Sequence, residues 1–289
     1  MNAIKVEGLY KTYDNFTLKN INFEIKPGEI IGLIGENGAG KSTILRQMLN
    51  IGKREKGSIY YFDEDLYEDE KAIKEDIGIV FDECVLPDMF TAADVDYFMK
   101  DIYKRWSSET FYKYLSKLNI PRRMEIQKFS KGMKMKISIA VALSHKARIL
   151  MLDEATSGLD PVIRDEILDA LVEFVEDKEH AILFSTHIIS DIEKAANRIL
   201  LIHKGEPLFF EEKEEIFKNW GVFEVGQDYF DCLYSKDIEA YQMKNEKYIV
   251  LTKNIYLVQE KYKFIKTEEL SLEKIMLIYI KGQWVLRDC

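Results

Sequence analysis

The residues with the clearest chemical potential form one glycine-rich stretch at positions 35–43, Gly-Glu-Asn-Gly-Ala-Gly-Lys-Ser-Thr. Its spacing matches the phosphate-binding pattern G-x-x-x-x-G-K-[ST]. The glycines permit positive φ and a close backbone approach to a ligand, which side chains would block. In this pattern Lys41 reaches the β- and γ-phosphates of a nucleotide, and Ser42 holds Mg²⁺. We therefore predict a polyphosphate site made by Gly35, Glu36, Asn37, Gly38, Ala39, Gly40, Lys41, Ser42 and Thr43.

Two adjacent carboxylates form a second candidate site. The apolar run Ile149–Leu152 predicts a buried strand, and Asp153 and Glu154 follow at its carboxyl end. In a fold with a phosphate-binding loop, an aspartate at this position holds Mg²⁺ against phosphate oxygens. The neighbouring Glu154 is then suited to polarise the attacking water. The alternative is a pair of solvated acids at the end of a strand.

The segments beside the glycine-rich stretch predict how it is held. Residues 29–34 form an apolar run short enough for a buried strand, and residues 42–50 have the apolar spacing of a helix. A strand, a glycine-rich turn and a helix together aim backbone N–H groups and the positive helix end at one point. Tyr13, just upstream, is a candidate to stack on a purine base, the alternative being an ordinary surface tyrosine.

The rest of the chain predicts an α/β fold with a helical insert. Strands predicted at 77–81, 149–152 and 181–185 alternate with helices, which indicates a sheet with crossover helices. Strands are also expected at 3–9 and 20–25, with Tyr13 between them. Residues 91–144 have helical patterns only, beginning with a helix expected to run through Trp106, and residues 63–76 are expected to form a solvated face or loop. After about residue 211 the alternation stops, and we expect a small α+β appendage with a hairpin at 239–252 and a helix at 270–280.

Composition limits the possible function. The chain has 289 residues, of which 47% are hydrophobic, so it is long and apolar enough to bury a core. Its net charge of -9 argues against a nucleic-acid partner, which would need a basic face. Cys84, Cys232 and Cys289 are far apart and odd in number, which predicts free thiols rather than a zinc site. We find no signal peptide and no apolar run of membrane-spanning length, so we expect a soluble chain.

Four motifs in order carry a family resemblance. They are the loop at 35–43, Phe129-Ser130-Lys131-Gly132-Met133, the run from Met151 to Asp160, and Ser185-Thr186-His187. Their order and spacing resemble the ATP-binding-cassette (ABC) ATPases over roughly residues 3–220. The resemblance implies an ABC-type nucleotide-binding domain with a RecA-like core, an N-terminal antiparallel β subdomain and a helical subdomain at about 85–145. We place the domain at 1–212 and an accessory α+β domain at 213–289.

The resemblance also implies roles for individual residues. Glu154, His187 and Lys41 are the expected catalytic residues, with His187 sensing the γ-phosphate. Tyr13 falls where the family stacks adenine, and Asp160 lies in the family's D-loop. The expected ligands are ATP and Mg²⁺, the metal being held by Ser42, Asp82 and Asp153. All of these positions are present in the chain.

In this family two nucleotide-binding domains face each other and share each ATP. One partner supplies Lys41, Ser42 and Asp153, and the other presents its signature segment. Ser130, Lys131 and Gly132 open a helix whose N–H groups can meet the γ-phosphate across the interface. The implied partners are a second ABC ATPase domain, as a homodimer or heterodimer, and integral membrane subunits. The chain would then be cytoplasmic, held at the inner face of the plasma membrane by those subunits.

The chain departs from the usual family pattern in its signature and at Asp82. The usual signature is Leu-Ser-Gly-Gly-Gln, whereas this chain has Phe-Ser-Lys-Gly-Met, so that Lys131 and Met133 replace a glycine and a glutamine. The family usually has glutamine where this chain has Asp82. A carboxylate near the γ-phosphate is repelled unless a cation lies between them. We hypothesise that Asp82 of one subunit is compensated by Lys131 of the other.

The details of these motifs are most similar to bacterial exporter ATPases that serve drug, lantibiotic or cytolytic-peptide efflux. The surface that docks to a membrane subunit is expected near residues 82–101. Two alternatives remain at this stage. One is a soluble ABC ATPase unconnected with transport, and the other is a nucleotide-binding regulatory subunit of low turnover. The cassette handles ATP, so its sequence carries no information about the cargo.

Overall fold

A computed structural model describes residues 1–52 and 54–284. The chain divides into two compact units, Met1–Phe210 and a second unit that begins at Glu211. No helix in the described ranges is long and apolar enough to cross a bilayer. Cys84 and Cys232 are free thiols, as predicted, while Cys289 lies outside the described residues.

Two sheets form the first unit. In chain order the strands are β1 (Ile4–Tyr13), β2 (Phe16–Ile25), β3 (Ile30–Ile34), β4 (Lys56–Tyr61), β5 (Glu64–Asp65), β6 (Ile77–Val80), β7 (Ile149–Asp153), β8 (Ala181–Thr186), β9 (Arg198–His203) and β10 (Glu206–Glu212). One sheet has the order β2-β1-β4-β5, with antiparallel pairs, and the other has the order β10-β9-β3-β8-β7-β6. The strands β9, β3, β8, β7 and β6 pair in parallel.

Some helices of the first unit pack on the parallel sheet, and others form a separate helical core. In chain order the helices are α1 (Lys41–Met48), α2 (Glu70–Glu75), α3 (Ala92–Ile102), α4 (Ser108–Lys117), α5 (Lys131–Ala142), α6 (Pro161–Phe174) and α7 (Ile189–Ala195), with a short 3-10 turn at Ile126–Lys128. Every residue of β3, β7 and β8 is buried, as expected for parallel strands covered on both faces. At Gly32 an added Cβ would lie 2.3 Å from Cδ1 of Ile192, so α7 packs closely on β3. The predicted α/β sheet with crossover helices is confirmed.

The helical segment is present, with different bounds. Thr91 and Asp94 form a capping box at the start of α3, and Ser107 caps α4 by accepting from the Thr110 N–H. The sequence predicted that α3 continues through Trp106, but it ends at Ile102. Its end coincides with Tyr103, whose ring stacks on His145 with 4.0 Å between ring centroids. The backbone at Tyr103 is extended.

Two local predictions differ from the structure in detail. Residues 63–76 are not a plain loop, since β5 adds to the antiparallel sheet and Asp69 caps α2 by accepting from the Ala72 N–H. Ile73 is the one buried residue of α2. A single apolar position gives no repeating pattern by which the helix could be predicted. The first hairpin is also longer than the predicted strands at 3–9 and 20–25. Tyr13 lies at the end of β1 and pairs with Phe16, rather than in a loop between strands.

The second unit has its own sheet and core. Its strands are β11 (Gly221–Val225), β12 (Ala240–Lys244), β13 (Lys247–Thr252), β14 (Thr267–Glu268) and β15 (Gln283–Trp284), in the order β14-β11-β13-β12-β15. Its helices are α8 (Lys213–Asn219), α9 (Gln227–Phe230), α10 (Ile255–Lys261) and α11 (Leu272–Lys281), with a 3-10 turn at Ser235–Asp237. Phe223, Val250 and Val258 lie at the centre of its core. The predicted hairpin at 239–252 and the last helix are present, while α8 and α10 were not predicted.

Candidate active site

Neighbouring parallel strands deliver the predicted site residues to one edge of the sheet. The strand β3 leads into the glycine-rich loop, and β7 ends at Asp153 and Glu154. The strand β8 lies between them and leads to His187, while β6 leads to Asp82 on the far side of β7. Because the carboxyl ends of parallel strands share an edge, ligands bind there in open α/β sheets.

The glycine-rich loop depends on its glycines for shape. Gly38 and Gly40 have φ of 80° and 114°, and Gly40 is the N-cap of α1. An added Cβ on Gly40 would lie 2.8 Å from Cζ of Phe16. At Gly35 an added Cβ would lie 2.4 Å from the carbonyl oxygen of Ile202. The loop is therefore packed tightly at both ends, and the α1 N-terminus is open toward the cleft.

Lys41 is buried and held by three oxygen atoms. Its Nζ donates to the carbonyl oxygens of Gly35 at 2.8 Å and Glu36 at 3.2 Å. It also forms an ion pair with Oε1 of Glu154 at 3.1 Å. The ammonium is thus fixed across the mouth of the loop, where a phosphate oxygen would be a further acceptor.

Asp153 receives two hydroxyl donors. Ser42 Oγ donates to its Oδ1 at 3.0 Å, and Ser185 Oγ donates to the same atom at 2.7 Å. Mg²⁺ prefers oxygen ligands and usually takes one or two carboxylates together with phosphates and water. The Ser42–Asp153 pair has that donor chemistry, so it fits a magnesium site. Over residues 1–52 and 54–284 no group of three or more His, Cys, Asp or Glu side chains forms an all-protein metal site.

Glu154 contacts two candidate catalytic groups. Its Oε2 lies 2.6 Å from Nδ1 of His187, which places the imidazole proton on Nδ1 toward the carboxylate. Its backbone has φ of 51°, uncommon for a residue with a side chain. Its N–H donates to the carbonyl oxygen and to Oγ of Ser185, both at 3.1 Å. The neighbouring strand therefore holds this strained backbone in place.

The signature segment caps its helix as predicted. Ser130 Oγ accepts from the N–H of Met133 at 3.2 Å, at the start of α5. Gly132 packs on α6, since an added Cβ would lie 2.6 Å from Cδ1 of Ile163. The Nζ of Lys131 would lie 2.9 Å from a Cβ added to Gly158, so this ammonium covers the loop ahead of α6. Asp160 caps α6, because its Oδ1 accepts from the N–H groups of Val162 and Ile163, both at 3.1 Å.

A cleft of about 1530 Å³ brings most of the predicted residues together. Those that line it are Tyr13, Asn37, Gly38, Gly40, Lys41, Ser42, Thr43, Asp82, Lys131, Glu154 and His187. Those that do not are Gly35, Glu36, Ala39, Ser130, Gly132, Asp153 and Asp160. Asp153 is buried and accepts a hydrogen bond from Ser42. Oε2 of Glu36 lies 3.3 Å from Nδ1 of His203. Neither Asp82 nor Lys131 has an ion pair within the described residues.

The sequence did not predict several residues of the cleft region, among them Phe16, Arg46 and Ser185. Phe16 and Arg46 line the cleft, and Ser185 links Asp153 to the backbone of Glu154. Ser185 lies directly opposite Asp153 in the β7–β8 register. Its position beside Thr186 and His187 was the available signal, but its role depends on a strand pairing that the sequence does not specify.

The fold and the site define a P-loop nucleotide triphosphatase. The sequence profile of the ABC transporter family matches residues 18–157. The lantibiotic transport ATP-binding protein SrtF of Streptococcus pyogenes is 33% identical over 76% of this chain and 98% of the relative. The energy-coupling factor transporter ATP-binding protein EcfA2 of Clostridium tetani is 28% identical over 89% of this chain and 94% of the relative.

A solved structure agrees with these relatives. The ATP-binding cassette MJ0796, in a dimeric post-hydrolysis state bound to ADP and phosphate, superposes with a TM-score of 0.65. It is 25% identical and covers 72% of this chain and 98% of its own. The chain belongs to the ABC transporter family and is the ATP-binding, ATP-hydrolysing subunit of a transporter.

Proposed function

We propose that this chain powers efflux of a drug, lipid or peptide through separate membrane subunits, by closing with a second ABC ATPase domain on Mg-ATP. The observation that carries the proposal is the position of Glu154 between Lys41 and His187, at the mouth of the cleft. The Glu154 carboxylate contacts both the Lys41 ammonium, which is the predicted phosphate-binding cation, and the His187 ring, which can orient it.

The cleft residues give each part of ATP a partner. The N–H groups of residues 38–43 and the Lys41 ammonium bind the β- and γ-phosphates. Tyr13 is 45% exposed at the edge of the cleft and stacks on the adenine. Ser42 and Asp153 would hold Mg²⁺, which when bound neutralises charge on the phosphate oxygens. Glu154 accepts the proton of the attacking water, and His187 fixes the orientation of that carboxylate.

The second half of the site comes from a partner domain. Ser130 and Gly132 open a helix of 12 residues, whose N–H groups and dipole favour an anion. Lys131 adds a full positive charge beside them. We propose that these residues meet the γ-phosphate bound by the other domain, and that Lys131 compensates Asp82 across the interface. In a single chain both residues line the same cleft, whereas the proposed pairing joins residues of two subunits.

The segment after β6 and the helix α3 carry exposed apolar side chains. Val85 is 73% exposed and Met89 is 80% exposed, and Tyr97 on α3 is 75% exposed. Neighbouring apolar side chains of this size on a surface are typical of an interaction site. We propose that this surface docks the chain to the cytoplasmic side of a membrane subunit. The chain would then be peripheral on the inner face of the plasma membrane.

The two compact units support the proposed division into an ABC domain at 1–212 and an accessory domain at 213–289. The direction of transport rests on the similarity of the signature and Phe81-Asp82-Glu83 to exporter ATPases. SrtF is named for lantibiotic transport, and the Bacillus licheniformis protein BcrA, 31% identical, for bacitracin transport. EcfA2 belongs to a different transporter class by name, so cargo and direction need an experiment.

The direction is tested by replacing the chromosomal gene with its Glu154→Gln allele. If the chain powers export, cells with this allele should accumulate at least one compound from a panel of lantibiotics, cyclic peptides and lipophilic dyes. They should also be more sensitive to that compound than wild-type cells. No change across the panel, together with a loss of nutrient uptake, would contradict export.

Docking is tested separately. Val85→Glu and Met89→Glu should release the chain from the membrane fraction without lowering its ATPase rate. Met243→Glu is the control, because Met243 is 67% exposed but lies in the second unit. Retention of both surface variants in the membrane fraction would exclude this docking surface.

A further inference from the structure

A buried carboxyl group beside the active site has no assigned role. Asp191, on α7, is 1% exposed, and neither of its oxygens makes a hydrogen bond to the described residues. The nearest cation is Arg164 on α6, with its Nε 3.4 Å from Oδ1 of Asp191. A buried carboxylate without hydrogen bonds is unfavourable, so its presence calls for an explanation.

A second unsatisfied group faces it. The hydroxyl of Thr156 is also buried and also lacks a hydrogen bond within the described chain. Burial raises the pKa of Asp191, and the Thr156 hydroxyl, the Arg164 guanidinium and His187 oppose that shift. The hydroxyl is thus close enough to influence the carboxyl group but does not complete a hydrogen bond of normal geometry. A small movement of the loop at 155–158 would complete it.

The three groups lie on three different parts of the site. Thr156 follows the catalytic candidate Glu154 by two residues, and Arg164 follows Asp160 by four residues on α6. Asp191 follows His187 by four residues, so it lies at the start of the helix that comes directly after the histidine. The carboxyl group therefore connects the loop after Glu154 and helix α6 to the segment that carries His187.

We propose that Asp191 is a positioning residue that sets the His187–Glu154 contact according to the position of the loop at 155–158. When the loop moves toward α7, the Thr156 hydroxyl donates to Asp191 and Arg164 completes the ion pair. The carboxylate then fixes the start of α7, and His187 is held on Oε2 of Glu154. When the loop moves away, the histidine segment loses this support. The proposal rests on the proposed function, because it assumes that Glu154 and His187 act in hydrolysis.

The test compares Asp191→Asn, Thr156→Val and the double variant in the purified full-length chain. Each single variant should lower kcat about tenfold with little change in the affinity for Mg-ATP. The double variant should lose no more than the worse single, because both changes remove the same interaction. Asp191→Asn should melt at the same or a higher temperature than the wild type, since burial raises the pKa of Asp191 and the folded chain therefore disfavours the charged carboxylate.

Two controls separate the possible failures. Asp96 on α3 is another buried carboxylate, and it accepts hydrogen bonds from Lys100 and Trp106. Asp96→Asn should lower the melting temperature without changing kcat. Glu154→Gln should abolish turnover. If Glu154→Gln still hydrolyses ATP, the proposed function fails. If Glu154→Gln is inactive while Asp191→Asn and Thr156→Val keep the wild-type kcat, the role of Asp191 is overturned. A loss of kcat that follows a lower melting temperature, or that adds in the double variant, would also overturn it.

Discussion

The Nζ of Lys41 lies 3.1 Å from Oε1 of Glu154, so the predicted phosphate-binding cation and the predicted water-activating carboxylate form an ion pair. Their side chains are 5% and 16% exposed. A γ-phosphate that binds Lys41 must therefore compete with Glu154 for the same ammonium. We propose that nucleotide binding thereby frees the Glu154 carboxylate to activate water.

The first prediction follows from that competition. Glu154→Gln removes the negative charge that faces Lys41, so Mg-ATP should bind a few-fold more tightly, in line with the loss of an ion pair of about 1 kcal/mol. Isothermal titration calorimetry measures the affinity directly. Glu83→Gln is the matched control, because Glu83 also lines the cleft but forms no ion pair in the described residues. Weaker ATP binding in Glu154→Gln than in this control would show that the ion pair does not restrain Lys41.

The second prediction concerns the glycine-rich loop. In Gly40→Ala the new Cβ meets the Phe16 ring at 2.8 Å, whereas in Gly38→Ala it meets nothing within 4 Å. Both positions have positive φ, so both variants carry backbone strain, and only the first carries a clash. Gly40→Ala should cost about 1–3 kcal/mol of stability beyond Gly38→Ala, measured by urea unfolding. Phe16→Leu should recover part of the difference, and no recovery would place the cost elsewhere.

The third prediction tests charge compensation between subunits. Asp82→Lys and Lys131→Asp should each lower the ATPase rate, because each leaves an excess of like charge near the γ-phosphate. The double swap restores opposite charges and should be faster than the worse single variant. Steady-state phosphate release at saturating Mg-ATP measures all four proteins. A double variant no faster than the worse single would rule out the pairing.

The fourth prediction is a pH dependence of stability. Burial lowers the pKa of His145, although the carbonyl oxygens of Val141 and Ile77 oppose the shift. The folded chain therefore favours the neutral ring. Its contribution to stability is fully present above the unfolded pKa of about 6.5 and is lost as the pH falls through the lower folded value.

The variant that tests this is His145→Phe, which keeps a ring to stack on Tyr103. Between pH 6.5 and 5 its free energy of unfolding should fall less steeply than that of the wild type, by at most about 1.4 kcal/mol per pH unit. Above pH 7.5 the difference between the two proteins should be constant, which serves as the internal control. Equal slopes below pH 6.5 would mean that His145 does not take up a proton on unfolding.

Much of the architecture could be predicted, because apolar runs and glycine-rich turns are local signals. The strand expected at 149–152 is β7, and the loop at 35–43 lies between β3 and α1 as expected. The helix α2 was missed because it has six residues and one buried side chain, so it gives no periodic pattern. The Asp69 cap was its only local sign.

The contacts within the site could not be predicted. The Lys41–Glu154 pair joins residues 113 positions apart and depends on the order β3-β8-β7. The strained backbone of Glu154 and the two bonds from its N–H to Ser185 likewise depend on strand register. Neither follows from residue types or spacing, since both are set by tertiary packing.

The central claim is that the loop around Lys41 binds ATP and that Glu154 activates the water that cleaves it. Single-turnover phosphate release from Mg-ATP, measured on the purified wild-type chain and its Glu154→Gln variant, tests this most directly. The account predicts stoichiometric release by the wild type, and retention of intact ATP by the variant with a rate at least about a hundredfold lower. Equal release rates in the two proteins, or no retention of Mg-ATP by either, would contradict it.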